Sequence, residues 1–424
     1  MPDDFERMWR DLAPIGQAAS TGYFRQPFAS AERELDRWFV DQATARGLVI
    51  ESDGNGNRVA WWEPVELSQN DRSFVSSGPS NRDLSSGGAI LTGSHLDSVL
   101  DGGAYDGPLG VVSAFAALDV LRDKGFQPSR PIGVSAFVEE EGSRFGLACL
   151  GSRLAAGAID PQTAAGLTDR DGVRLDEAMA AAGLEPDLGP APWLARVGAY
   201  VELHVEQGRD LVDRDAAVGL ATGIWPHGRY RFDFTGEANH AGTTRMEDRR
   251  DPMLTYAMTA LAANKQARLA DMRATFGRID VAPNGTNAVP SRVTAWLDVR
   301  CDTEDELTRL VGEIERMGHD RAARDGTSLT VTAESVSGLV SFDGDLTARL
   351  NGPQLTTERT TSDNSTVPVI PTQAGHDAGI LSQAGIPTAM LFVRNPTGVS
   401  HSPEEHAEMA DCLAGVDKLA ASLE

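Results

Sequence analysis

The chain has 424 residues, enough for about two or three compact units with at least one large core. Hydrophobic residues make up 41% and charged residues 24%, ordinary proportions that exclude a disordered or fibrous chain. With 62 acidic against 38 basic residues the formal net charge is −24, so the far field repels polyanions. Nucleic acid and anionic membrane are thereby excluded as partners, and a small anionic substrate needs its own local arginine or metal.

At the start, MPDDFERMWRDL carries acidic residues where a secretory leader has basic ones, and no apolar stretch follows. Nowhere is there a run of about 18 apolar residues of the kind that spans a membrane. Cys149, Cys301 and Cys412 lie far apart and form no CxxC pair, which argues against a disulfide framework and a cysteine-based zinc site. These features predict a protein of the reducing cytoplasm.

Segment 68–88, rich in Ser, Asn and Gly, reads as a loop. Short apolar runs then alternate with amphipathic stretches, the pattern of an α/β layer structure with a mostly parallel sheet. AILTGS at 89–94 is a predicted strand, and LGVVSAFAALDVL at 109–121 a helix starting after Pro108. PIGVSAFV at 131–138 and AYVELHV at 199–205 are further buried strands. GRYRFDFTG at 228–236, SRVTAWLDVR at 291–300 and TSLTVTAESVS at 327–337 instead alternate polar and apolar, with helical stretches at 251–269 and 303–318 between them. Strands wet on one face belong to an antiparallel sheet covered by helices on the other. Residues 214–334 therefore read as a smaller α+β domain inserted into a larger one formed by 1–213 and 335–424. Segment 352–370 reads as a loop and IPTAMLFV at 386–393 as the last buried strand.

The chemistry-bearing residues begin at the carboxyl ends of these buried strands, the usual place for a site in an open α/β sheet. In GSHLDSVLDGGAYDG at 93–107, His95 and Asp97 are two apart and point to one side in extended chain, so the carboxylate can hold the second imidazole nitrogen. Asp106 follows across a Gly-rich loop that can fold it back over the strand end. A solvated loop with Asp101 and Asp106 as turn residues is the competing reading.

FVEEEGSRF at 137–145 is an apolar strand that stops in three glutamates. Like charges side by side are expensive unless cations neutralise them, and such a site lets one glutamate bind a metal while another serves as general base. The alternative is a solvated charge run opening a helix.

VELHVEQG at 201–208 places Glu202, His204 and Glu206 on one face of an interior strand, costly unless paired or metal-bound. In GVSHSPEEH at 398–406, His401 stands at a turn into a helix capped by Ser402 with Glu405 at the capping-box position, and His406 reads as a helix residue. His95, Asp106, Glu141, His204 and His401 together make a thiolate-free nitrogen and oxygen set that suits zinc, or manganese, cobalt or nickel.

The ordered series GSHLDS, GGAYDGPLGV, EEEGSRF, GSR, ELHVEQG, GEANHAGTT, NAVPSRVTAWLDVR, AGHDA and GVSHSPEE, spanning about 93–406, resembles the ureidohydrolase branch of the di-zinc aminoacylase and carboxypeptidase superfamily. That branch holds N-carbamoyl-L-amino acid hydrolases, β-ureidopropionases and allantoate amidohydrolases. The resemblance implies a di-metal hydrolase domain of α/β fold with an inserted lid that also makes a homodimer. It implies two divalent metal ions per subunit, with Asp106 bridging both, His95 and His204 completing one site, and Glu141 and His401 the other. Glu140 becomes the catalytic base. His240, Asn287 and Arg300 bind the substrate, with Gln207 and His376 lining its pocket and lid residues free to serve the neighbouring subunit.

Two other functions compete with cleavage of an N-carbamoyl amino acid or allantoate. One keeps the machinery and changes the acyl group to formyl or another acyl unit; the other is a catalytically dead protein that binds an amino-acid derivative, which retention of Glu140 argues against. The chain also departs from the branch at Arg245, where proline usually follows HAGTT. An arginine there either meets a second carboxylate on an acidic substrate or pairs with Glu247 or Asp248 on the lid surface.

Overall fold

A computed structural model describes residues 2–64, 88–352 and 367–424. The loops expected at 68–88 and 352–370 lie almost wholly outside the described residues, and where the second re-enters, Val369–Thr372 is a strand. Two compact units form: Met1–Thr222 with Ser341–Ile370 and Gly375–Glu424, and Gly223–Val340 with Pro371–Ala374.

The larger unit is a mixed α/β structure with a largely parallel central sheet. Its core is four parallel strands in the order Ile132–Phe137, Ala89–His95, Val197–Val205, Thr388–Val393. Their residues are buried almost without a break, which is why they read as continuous apolar runs rather than alternating ones. The edges are antiparallel. The hairpin Val49–Ser52 and Arg58–Trp62 extends one side, and Val218–Ile224 pairs with Thr388–Val393 on the other.

Helix Pro108–Asp123 opens on proline, whose missing N–H costs nothing at a helix start. It is apolar nearly all round and packs against the sheet, Met409–Leu423 and Pro2–Leu12. Gly107, which precedes it, has φ +84°, and a side chain there would lie 2.4 Å from the His95 ring. Glycine is thus what lets the 101–107 loop close over the end of strand Ala89–His95.

The smaller unit is a four-stranded antiparallel sheet in the order Ser328–Ser337, His227–Thr235, Arg292–Arg300, Arg273–Ala282. Tyr230, Phe232 and Phe234 alternate inward with Val293, Ala295, Leu297 and Val299, against helices Pro252–Ala270 and Glu304–Asp325. Asp251 and Thr303 cap these helices by accepting from the backbone N–H of Met253 and Glu306. The expected bounds 214–334 differ from this unit at both ends. Residues Val218–Thr222 carry a buried strand of the larger sheet, and strand Ser328–Ser337 runs past 334.

No helix among the described residues is long and apolar enough to cross a membrane. Cys149, Cys301 and Cys412 are free and buried.

Phe232 is fully buried and meets Phe234 and Phe276 at ring-centroid distances of 6.1 and 5.3 Å. Phe232→Ala is expected to lower the unfolding free energy of the smaller unit by about 3–5 kcal/mol. Urea titration followed by circular dichroism measures this, and a loss below about 1 kcal/mol would show that the cluster is not a packed core.

Candidate active site

His95 ends one parallel strand and His204 lies near the end of the next. Nδ1 of His204 is 2.9 Å from the Val205 carbonyl, and Nδ1 of His95 is 3.2 Å from the Asp97 carbonyl. A carbonyl only accepts, so each Nδ1 carries a proton, and in the neutral ring each Nε2 presents its lone pair. Burial opposes a second proton, yet the Asp106 carboxylate favours one on Nε2 as well and raises both imidazoles. Among the described residues both Nε2 atoms are buried without a hydrogen bond of good geometry, and they face Asp106 Oδ1 at 3.5 and 3.2 Å. With both rings neutral, two lone pairs and a carboxylate oxygen converge, an arrangement that a divalent cation satisfies in place of protons. All three residues are buried.

The other Asp106 oxygen, Oδ2, faces a different group: His401 Nε2 at 3.4 Å, which is also 3.4 Å from Glu141 Oε2. Asp106 therefore belongs to two sets of converging donors, one with His95 and His204 and one with Glu141 and His401. Gln207 Nε2 donates to the same Oδ2 at 2.8 Å and to Ser400 Oγ at 3.1 Å, which places Gln207 against the cluster itself.

The glutamate run is split by its backbone. Glu139 has φ +53° and turns its carboxylate back to accept the N–H groups of Arg144 and Phe145. Glu140 and Glu141 both donate their backbone N–H to the Asp97 carboxylate, at 3.2 and 3.1 Å, so Asp97 fixes the two residues as well as facing His95 Nδ1 at 3.4 Å. Glu140 Oε2 comes within 3.6 Å of His95 Nε2, while its Oε1 accepts from the Cys149 thiol at 3.3 Å.

The charges of this cluster are mutually adjusted. Burial, with the carboxylates of Asp377, Glu141 and Asp97 nearby, pushes Glu140 well above the usual carboxylate range. Burial and the Asp106 carboxylate raise Glu141 to about 7. Burial opposes charge on Asp106 too, yet His204, His401 and His95 hold it well below its ordinary value. His401 rises to about 9 through its hydrogen bond to Asp106 and the nearby Glu141. The site concentrates negative charge and favours whatever cation it is given, a proton or a metal ion.

Other expected residues divide. Glu202 is buried with both oxygens engaged, by Ser94 Oγ at 2.7 Å and the Ala378 N–H at 2.9 Å, and His376 lies beside His204 with ring centroids 4.6 Å apart. Glu206 caps the short helix Asp210–Asp213 by accepting from Asp210 and Leu211, away from the chemistry. In the smaller unit, strand Asn239–His240 pairs with Ala288–Val289, so His240 and Asn287 are neighbours, with the Ala241 N–H on the Asn287 carbonyl at 2.9 Å. His240 Nδ1 accepts from the N–H groups of Gly242 and Thr243, at 3.0 and 3.1 Å, which leaves Nε2 as an exposed donor.

Arg300 is already engaged. Its Nε and Nη2 bind the Asp298 carboxylate at 2.8 and 3.3 Å and its Nη1 donates to the Gln373 carbonyl, so the fork is turned to its own chain. Arg245 is exposed and pairs with Asp248 at 2.8 Å and Glu247 at 3.4 Å, the surface pairing that competed with a substrate role.

Sequence reasoning missed Cys149 and the part played by Glu405. The capping box expected at Ser402 does not form, because the helix starts at Met409 and residues 401–404 are turn. Glu405 instead accepts the backbone N–H groups of Tyr105 and Asp106, both at 2.9 Å. His406 lies outside the helix, its ring edge-on to Tyr105. Two adjacent glutamates after a candidate ligand histidine were the available signal, and a capping pattern that ordinarily explains such a pair hid it.

Against known proteins, the chain is 34% identical to the N-carbamoyl-L-amino acid amidohydrolase of Geobacillus stearothermophilus over 98% of its own length and 96% of that relative. It is 30% identical to the allantoate amidohydrolase of Escherichia coli, over 97% of this chain and 95% of the other. A hydantoinase/carbamoylase family amidase from Burkholderia vietnamiensis has the same fold, with a TM-score of 0.83 at 27% identity, covering 99% of this chain and 96% of that one. Fold and relatives define a hydrolase of carbon–nitrogen bonds. The model of peptidase family M20/M25/M40 matches residues 91–424, and the chain belongs to that family of metal-dependent hydrolases.

Asp97→Asn is expected to weaken divalent-ion binding about 10- to 100-fold, because it disturbs both the His95 partner and the backbone anchor of Glu140 and Glu141. Competition against a chromophoric chelator measures it. An unchanged affinity would place Asp97 outside the support of the site.

Proposed function

We propose that the protein hydrolyses an N-carbamoyl-L-amino acid or allantoate, with two divalent ions, zinc first among them, held by His95, Asp106, Glu141, His204 and His401. The observation that carries this reading is the sharing of one buried carboxylate: Asp106 Oδ1 faces His95 and His204 while Oδ2 faces His401, with Glu141 beside it. Similarity over nearly the whole length to an N-carbamoyl-L-amino acid amidohydrolase and an allantoate amidohydrolase supports the choice of substrate class. When bound, such ions polarise a carbonyl and lower the pKa of water toward neutrality.

Glu140 is the general base in this reading. Its Oε1 is tied to Cys149, which leaves Oε2 to take a proton from the attacking water and return it to the leaving nitrogen. Stabilising the developing oxyanion needs an N–H donor, and His240 presents Nε2–H because two backbone N–H groups occupy Nδ1. Asn287, whose exposed side-chain amide makes no hydrogen bond among the described residues, and His240 are the substrate contacts of the smaller unit. Arg300 contributes through the N–H groups that Asp298 and Gln373 leave free.

Glu140→Gln is expected to keep its metal content and to lose turnover by about 10²–10⁴-fold, since it removes the proton shuttle and spares the ligands. Metal analysis together with assays on N-carbamoyl and N-formyl L-amino acids and allantoate tests both parts. Full activity in the variant would remove Glu140 from the mechanism, and turnover of N-formyl substrates alone by the wild type would sink the carbamoyl assignment.

The smaller unit is also the proposed homodimer surface. Helix Pro252–Ala270 exposes Leu254, Met258 and Leu261, 46%, 45% and 66% accessible, at the i, i+4, i+7 spacing of one stripe. Strand Arg273–Ala282 beside it is an edge of the sheet. Met258→Glu with Leu261→Glu is expected to convert a dimer to a monomer at micromolar concentration, read by sedimentation. A wild-type protein that is monomeric and fully active would remove the dimer from the reading.

A further inference from the structure

Glu405 is buried, and among the described residues its hydrogen bonds run to two backbone N–H groups and a hydroxyl rather than to the imidazoles or carboxylates of the two donor sets. Its Oε1 accepts two backbone N–H bonds, from Tyr105 and Asp106, each 2.9 Å long. Its Oε2 accepts from Ser400 Oγ at 3.2 Å, and that hydroxyl also lies 3.3 Å from Asp106 Oδ2. One carboxylate therefore reaches Asp106 twice, at the backbone directly and at the side chain through Ser400. It does so from the turn that carries His401, about 300 residues away in sequence. The fit is close: a side chain at Gly103 would lie 2.3 Å from Glu405 Oε1 and would displace that carboxylate.

We infer that Glu405 is a positioning residue that locks the Asp106 loop to the His401 turn and so sets the spacing of the two donor sets that share Asp106. This rests on the reading of Asp106 as the bridging ligand. A carboxylate accepting two N–H bonds holds a loop more firmly than a neutral acceptor, because charge-assisted bonds are roughly twice as strong. Without it, the peptide of Asp106 loses its anchor, and Oδ1 and Oδ2 no longer meet their partners at fixed distances. Gln207 Nε2 and a Ser400 hydroxyl that Glu405 no longer holds then remain as the contacts on Oδ2 that are not themselves candidate ligands.

The test compares Glu405→Ala with Glu405→Gln and Ser400→Ala, using zinc ion as the probe. Affinity is read by competition with a chelator, and the melting temperature is read on chelator-treated protein. Glutamine keeps an oxygen for the two N–H groups and offers an amide to Ser400, so Glu405→Gln is expected to bind zinc within a few-fold of wild type. Glu405→Ala is expected to bind about 10- to 100-fold more weakly, with Ser400→Ala between the two. If Glu405→Ala does not fold, the graded loss from wild type through Glu405→Gln to Ser400→Ala carries the test. A melting temperature that drops in all variants with unchanged zinc affinity would make Glu405 merely structural and overturn the inference. If wild type takes up no zinc, the metal reading falls together with this one. If wild type and Glu140→Gln bind zinc and Glu405→Ala binds it equally, this inference alone falls.

Discussion

A carboxylate has to stay charged while buried at the end of a parallel sheet, and much of the larger unit is arranged around that demand. Removing an ion such as the Asp106 carboxylate from water costs several kcal/mol even after relaxation, so it persists only where partners surround it. Three imidazoles, the Gln207 amide and the Ser400 hydroxyl do so. They come from three segments, around residues 95, 204–207 and 400–401, and the sheet brings those together because parallel strands all end at the same edge. The converging donor atoms are placed by the strand order, with no one loop supplying them.

Around that edge the backbone is bent where side-chain chemistry needs it. Gly107 accepts a left-handed φ and a contact with the His95 ring that no other residue would survive. Glu139, at φ +53°, does the opposite job with a side chain present: it spends its carboxylate on the loop N–H groups of Arg144 and Phe145. That turn takes the first of three adjacent glutamates away from the other two, which still raise one another's charge cost. The first closes a loop, the second faces His95 and the third faces His401.

The parts of this arrangement that could be read from sequence are those where one residue's neighbours in the chain are also its environment. The four buried strands announce themselves as apolar runs because both faces are covered, and the helix after Pro108 because proline marks its start. The inward alternation of Tyr230, Phe232 and Phe234 is equally local. Strand Arg273–Ala282 was not legible, since an edge strand wet on most positions has no apolar period to find. The hairpin Val49–Trp62 offered too short a pattern. Glu405 and Cys149 were illegible for another reason: each acts on a residue brought near by the fold, and a local motif offered a sufficient explanation of Glu405 as a helix cap. Arg245 and Arg300 show the converse. Their charge was evident, yet which carboxylate each would choose depended on Asp248 and Asp298, within a few residues on the same surface.

Those two arginines bear on how an acidic protein would handle the anionic substrates that the proposed function implies. A chain of net charge −24 draws divalent cations toward it and repels carboxylates, so recognition of a substrate carboxylate rests on short-range donors. Arg245 is spent on Asp248 and Glu247, and Arg300 has its Nε and Nη2 closed on Asp298. A guanidinium with its fork occupied cannot also clamp a carboxylate through the same two atoms, and breaking the Asp298 pair would leave that aspartate with Arg229 alone, at 3.6 Å. Specificity for a second anionic group on the substrate therefore has no free arginine at Arg245 to draw on. What remains near His240 is neutral: its own Nε2–H and the Asn287 amide. Donors of that kind pair with a carbonyl oxygen rather than with a carboxylate's full charge, which is what the ureido or amide group of the proposed substrates offers.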